Sequence, residues 1–446
     1  MRGRVAVSRA FALVHPVLAR RSSDAKRRLA LAGAGRMPTA SLGRIAGRRR
    51  RVRALVIAAL AASAIACATR PPGIPLESWQ ALPWGAVSLD GYGASEDLGA
   101  SSQIVPAPIV DKDQYERPRY AVLALSGGGA NGAFGAGLLA GWSKHGSRPS
   151  FKIVTGVSTG SLLAVYAFLG PKYDRELERF YTTTTDADVL SMRSRLSSLF
   201  GDSLADNAPL KATIARAIDD RVLDEVAREH RRGRRLYVST TDLDGARVVA
   251  WDMGAIAASA RPDRLQRFRD VLLASTSIPV VFPPVYFPVE VGGATYSQMH
   301  VDGGATANLL FAGFMIDVLR ATEGSRFRPD ARIDFYTVIN GYLRPGPHSD
   351  PIAPDLLGIA VASNWITSWA AQSSLVVRLY HVVRRVGWEF HLAGIPREYE
   401  GELPSASFDP ERMTRLFRYA EALAASGFPW QDHPPGMDPR ERLAPQ

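Results

Sequence analysis

Ser158 stands in Gly156-Val157-Ser158-Thr159-Gly160, a G-x-S-x-G pentapeptide that follows the β-branched run 151–155 and precedes an apolar helical pattern at 161–169. Strand, sharp turn and helix is the context in which a serine hydroxyl can be presented as a nucleophile, with flanking glycines making room for a tight, strained backbone. The helix starting just after Ser158 would favour negative charge developing there. The pentapeptide alone also describes a plain strand-to-helix turn.

A second constellation lies upstream, Ser126-Gly127-Gly128-Gly129-Ala130-Asn131-Gly132, again between a strand pattern and a helix pattern. Consecutive glycines free backbone N–H groups to point at one anion, and a donor aimed at the oxyanion of a tetrahedral intermediate is worth about 2.7–4 kcal/mol. Gly127, Gly129 and Gly132 also fit the G-x-G-x-x-G dinucleotide fingerprint. That reading expects an acid about twenty residues on, at the end of the second strand, where this chain has Thr155-Gly156-Val157-Ser158. A third constellation is Val301-Asp302-Gly303-Gly304, followed by Asn308. By itself an Asp-Gly-Gly describes a capped turn as well as a catalytic acid. His300, two residues before Asp302, keeps a Ser–His pairing open, although a histidine packed on the strand leading to Asp302 is the expectation.

The elements that must position these residues alternate along the chain. Strand patterns at 120–125 and 151–155 are followed by helix patterns at 132–144 and 161–169, the βαβα order of a mainly parallel sheet. Residues 174–230 are helical in pattern and interrupted at Gly201 and Pro209, as an inserted lobe would be. Strands are expected again at 236–240, 248–251 and 335–339, with a helix at 309–320, a buried or interfacial helix over 356–383 and a closing amphipathic helix behind Asp409-Pro410.

Glycine turn, G-x-S-x-G and Asp-Gly-Gly in this order resemble the motifs of the patatin-like phospholipase family. Ser277-Ile278-Pro279-Val280-Val281-Phe282-Pro283-Pro284 is similar to the block ahead of the family's Asp, and Thr240-Thr241-Asp242-Leu243 and Asn207-Ala208-Pro209-Leu210 are similar to other family segments. The resemblance covers roughly residues 119–427. It implies a three-layer α/β/α acyl hydrolase fold with a mainly parallel central sheet and a helical insertion. It also implies a Ser–Asp dyad of Ser158 and Asp302, an oxyanion hole of Gly127, Gly128 and Gly129, and no cofactor. Asn131 stands where family members commonly carry Arg or Lys, so altered polar contacts are expected there. The remaining histidines lack metal-ligand spacing, and no metal is expected.

The formal net charge is +11, but fifteen of the 54 basic residues and one of the 43 acidic ones lie within residues 1–66, leaving a slightly acidic body. Arg48 to Arg53 run directly into the apolar stretch 54–66, the order of an export signal rather than of a nucleic-acid arm. At thirteen residues that stretch is short for a membrane span. Cys67, the only cysteine, follows Ala64-Ile65-Ala66, which resembles a lipoprotein lipobox, so Cys67 is the expected lipid attachment site. Ala68 in the next position favours the outer membrane, periplasmic side. Met37 would give the signal an ordinary length as a start. The expected organisation is leader 1–66, lipid attachment and flexible tether 67–118, hydrolase domain 119–427 and loose tail 428–446. The expected substrate is a phospholipid or other acyl-ester lipid. The alternatives are a catalytically silent lipid-binding or envelope-assembly protein, or a carboxylesterase or thioesterase.

Overall fold

The structure, a computed structural model, describes residues 70–87, 119–194, 201–311, 331–344, 352, 354, 356–399 and 407–437. The leader, Cys67 and most of the segment expected as a helix at 309–320 lie outside the described residues. In chain order the first elements are β1 (Ala86–Val87), β2 (Arg119–Leu125), α1 (Gly132–His145), β3 (Ile153–Val157) and α2 (Thr159–Leu169). A lobe follows with α3 (Asp174–Thr183), α4 (Asp186–Val189), β4 (Ser191–Met192), β5 (Ala205–Asp206), α5 (Ala208–Ala217) and α6 (Asp220–Arg231). Next come β6 (Arg235–Asp242), β7 (Arg247–Asp252), α7 (Met253–Ala258), α8 (Arg264–Ser275), β8 (Val285–Val291) and β9 (Ala294–Asp302). The chain closes with β10 (Arg332–Tyr342), α9 (Leu356–Arg385), β11 (Glu389–Ile395) and α10 (Pro410–Ala425).

Strands β6, β3, β2, β10 and β11 lie side by side in that order, all parallel. A parallel strand is covered on both faces, so it reads as a continuous apolar run rather than an alternating one. Strand β2 does so: Ala121, Leu123 and Leu125 enter one buried cluster with α1, α2 and α10, while Val122 and Ala124 enter another with Val376, Leu379 and Val383 of α9. Each fully buried Val or Leu stabilises this α/β/α sandwich by about 1.5–3 kcal/mol. The closing helix is fixed at its start by Asp409, whose side chain accepts from the N–H groups of Glu411 and Arg412.

At the other end of the sheet the strands run antiparallel: β7 and then β1 on one edge of β6, and β9, continued by β8, on the other. On that second edge β3 climbs to pair Val157 with Ser239, and β9 descends to pair Asp302 with Thr240. The two strands therefore meet end to end at adjacent residues of β6. Ser158 and Asp302, 144 positions apart in the chain, become neighbours through this meeting.

Two expected boundaries are corrected. Residues 70–87, read as part of a tether, are fastened to the domain. Ala86 pairs with Trp251, Ser297 N–H donates to Pro72 O at 2.9 Å, and Ala81 O accepts from Gln298 Nε2 at 2.8 Å and from Arg247. Arg261 and Arg267 lie over the Trp84 ring, 4.6 and 5.1 Å from its centre. Residues 428–437 are likewise not a loose tail. Leu392 and Gln431 exchange two backbone hydrogen bonds, and Trp430 packs on Trp142 and Tyr336. In both segments aromatic burial outweighs a composition that favours turns.

Candidate active site

The G-x-S-x-G turn is tight for a steric reason. A Cβ on Gly156 would lie 2.2 Å from Gly160 O, and one on Gly160 would lie 2.5 Å from both Leu125 O and Ser126 O. Both glycines let the start of α2 close down onto the end of β2, where the second glycine motif begins. Ser158 itself takes φ 53°, ψ −128°. For a non-glycine residue this is strained by about 1–3 kcal/mol, so it persists only where its surroundings hold it. Its N–H donates to Ser275 Oγ at 3.0 Å, and its carbonyl accepts from Ser161 N and Oγ at 2.8 and 2.6 Å.

The glycine turn 126–129 is pinned from β10. Asn340 donates its backbone N–H to Ser126 Oγ at 2.9 Å and its Nδ2 to Ser126 O at 2.7 Å, while its Oδ1 accepts from Gly135 N at 3.1 Å. A Cβ on Gly127 would lie 3.1 Å from Ser158 Cβ and 2.3 Å from Asn308 Oδ1, so this backbone touches the serine. The three glycines are not equivalent as oxyanion donors. Gly127 N–H is directed at Asn308 O at 3.3 Å, whereas among the described residues no acceptor occupies the N–H groups of Gly128 and Gly129. Of the three glycines expected as oxyanion donors, Gly127 thus has its N–H directed at Asn308, and its lack of a side chain lets the turn approach Ser158.

Asp302 ends β9 and is 4% exposed. Its Oδ1 accepts from Gly304 N–H at 2.7 Å, the turn bond expected of Asp-Gly-Gly. Burial pushes its carboxyl up to about 6, against opposing hydrogen bonds from the Ser158 side chain and Gly304 N–H. A carboxylate with that affinity for protons, beside a strained serine, has the properties of a general base.

His300 has the packed role. Burial pushes its pKa down to about 3, its Nδ1 lies 2.8 Å from Thr240 Oγ1, and its Nε2 lies 3.2 Å from Gln298 Oε1. Asn131 is buried at the start of α1. Two residues that the sequence did not mark as partners of the site are now in it, Ser275 and Asn340, and Asn308, which follows the Asp-Gly-Gly turn, joins them. Asn308 Nδ2 also donates to Gln372 Oε1, which ties α9 to the glycine turn. Among the described residues no group of three or more His, Cys, Asp or Glu side chains could hold a metal, and no helix is long and apolar enough to cross a membrane.

An α/β/α sandwich carrying a serine in a strained strand-to-helix turn, beside a glycine turn and a buried carboxylate, has the architecture of an α/β acyl hydrolase. Residues 123–315 match the family model described as patatin-like phospholipase, so this stretch of the chain is similar to a patatin-like phospholipase domain. Among solved structures, the crystal structure of VipD from Legionella pneumophila is similar at 11% identity over 74% of this chain and 72% of that one, with a TM-score of 0.29. Comparison with the curated proteins gives no match.

Proposed function

We propose that this protein hydrolyses acyl esters of membrane lipids as a phospholipase A or lysophospholipase, with Ser158 as nucleophile and Asp302 as its base. The observation that carries the reading is the meeting of the strands that carry the strained Ser158 and the buried Asp302, whose pKa is pushed up to about 6. At neutral pH most of such a carboxylate is ionised yet still accepts a proton readily.

As Ser158 Oγ forms a bond to the ester carbonyl carbon, its proton passes to Asp302, and the carbonyl oxygen becomes an oxyanion facing the N–H groups of Gly128 and Gly129. Collapse of the intermediate breaks the bond to the alcohol oxygen, which takes the proton from Asp302 and leaves as the lysolipid or glycerol part. Water then gives a proton to Asp302 and attacks the acyl-Ser158 carbonyl. Release of the fatty acid returns that proton to Ser158 Oγ, and no cofactor enters the balance. The Arg-rich leader, apolar run and Cys67 support export and lipid anchoring in the cell envelope as part of the same proposal.

The test is hydrolysis of defined phospholipids, lysophospholipids and short acyl esters by the protein from Cys67 onward, with Ser158→Ala and Asp302→Ala alongside. Loss of at least about a thousandfold in kcat in both variants, with folding intact, is expected for residues acting as one unit. Activity surviving Ser158→Ala, or a folded wild type inactive on every ester, would overturn the reading, the second outcome in favour of a silent lipid-binding protein.

A further inference from the structure

We infer that the turn Ser275-Thr276-Ser277 at the end of α8 is a positioning element for the reaction, with Ser275 as its adjustable contact. The inference rests on the dyad proposed above and adds what holds its two halves in register.

The strands that carry Ser158 and Asp302 meet end to end on one edge of β6, and their pairings run to β6 rather than to each other. The alignment of nucleophile and base therefore needs a bond from outside the ladder, and the turn after α8 makes two. Ser275 Oγ accepts the N–H of Ser158 at 3.0 Å, and two residues on Ser277 O accepts the N–H of Asp302 at 2.8 Å. One three-residue segment thus binds the backbone of both dyad members.

The segment is itself fixed. Ser275 and Ser277 are fully buried. Thr276 Oγ1 donates to Leu272 O and Leu273 O at 2.9 and 3.0 Å, and Ser277 Oγ donates to Leu273 O at 2.8 Å. These hydroxyls fold the turn back onto the Leu272 and Leu273 carbonyls, which also accept the Thr276 N–H. Farther back on α8, Arg269 donates to Ile218 O and Ala215 O at 2.9 and 3.1 Å, which ties the helix to the inserted lobe. Removing the Ser275 hydroxyl would leave a buried N–H on a residue already strained at φ 53°. The turn would then relax in the coordinate that aims Oγ at the ester.

The experiment compares Ser275→Ala, Ser275→Thr and Ser275→Cys in the protein from Cys67 onward. Steady-state kinetics on a p-nitrophenyl acyl ester are read per active site titrated with a fluorophosphonate. Misaiming a reacting group by about 1 Å costs up to about a hundredfold, so kcat of Ser275→Ala is expected to fall about 10- to 100-fold with KM changed less than about twofold. Ser275→Thr keeps the acceptor and is expected to recover most of that loss. Ser275→Cys keeps the volume with a weak acceptor, so it is expected to fall between the two, and it carries the test if Ser275→Ala does not fold. A stability role alone would lower the titratable fraction and leave kcat per site unchanged; that result in Ser275→Ala, or in Ser275→Cys, overturns the inference. Activity persisting in Ser158→Ala would instead remove the dyad itself, so the two failures are told apart.

Discussion

Thr240 Oγ1 lies 2.8 Å from His300 Nδ1, and the Gln298 amide on the other side of the ring sets the direction of that hydrogen bond. Gln298 Nε2 donates to Ala81 O at 2.8 Å, so its Oε1 faces His300 Nε2 and needs a donor there, while Thr240 Oγ1 accepts from Trp251 Nε1 and donates to His300 Nδ1. The imidazole, held neutral by burial, then carries its proton on Nε2 and donates to Gln298 Oε1, whose amide donates in turn to Ala81 O. Both ring nitrogens are committed to packing. His300→Asn is expected to cost about 1–3 kcal/mol in urea unfolding, the penalty for broken buried hydrogen bonds. Its kcat/KM should stay within about tenfold of wild type. A much larger loss in a fully folded variant would return the histidine to the mechanism.

The Asp302 carboxyl gives activity and stability opposite dependences on pH. As a base it works ionised, so kcat/KM is expected to rise with pH through about 6 and level off above it, about tenfold per pH unit on the acid limb. Its folded pKa stands above its ordinary value of 3.8, so the folded state holds this proton more tightly than the unfolded state. That contribution to stability is complete below 3.8 and is lost as pH rises through about 6. Asp302→Asn can still accept from Gly304 N–H. It is expected to be inactive yet more stable than wild type at pH 7, by on the order of 1–3 kcal/mol, when both are unfolded in denaturant. A pH-rate profile flat between 5 and 7 would contradict the assignment.

Asn340 offers a way to disturb the oxyanion side without touching Ser158 or Asp302. Asn340→Ala removes the bonds to Ser126 O and from Gly135 N–H. Asn340→Asp retains an acceptor for Gly135 but sets a carboxylate oxygen against the Ser126 carbonyl. Both are expected to lower kcat, by roughly 10–100-fold, with the Asp variant the worse, because an oxyanion donor out of place costs on that scale. Steady-state kinetics on a soluble ester check the order.

The segment 70–87 is expected to support stability and not chemistry. Trp84→Ala removes the ring that lies between the Arg261 and Arg267 guanidiniums, at an expected cost of about 1–3 kcal/mol in denaturant unfolding. Its kcat per folded molecule should be unchanged.

What the sequence made readable was local. The turn around Ser158, the glycine turn at 127–129 and the Asp302 turn each announce themselves within about five residues, because the steric demand that calls for glycine is met by adjacent backbone. The contacts that assemble them are long-range and carry no such mark. Asn340 lies 214 positions from Ser126, and Ser275 lies 117 from Ser158; an asparagine on a strand and a serine at a helix end are ordinary residues until the fold brings them in. The β8–β9 hairpin and its antiparallel join to β6 were not foreseen as a pair, although the strand into Asp302 was. The expected tether and tail misled for one reason: Pro, Gly and Ser set the impression, while Leu82, Trp84, Phe428 and Trp430 pack partly buried against the core.

The fastening of residues 70–87 alters the geometry of any anchor at Cys67. Only Ala68 and Thr69 separate that cysteine from Arg70, whose guanidinium is paired with Asp244. Three residue steps reach no farther than about 11 Å at full extension. An acylated Cys67 would therefore hold Arg70 within about 11 Å of the acylated cysteine. The long stretch 88–118 would contribute nothing to its reach, since both of its ends are already strands of the same sheet. Such a molecule would graze the leaflet that anchors it.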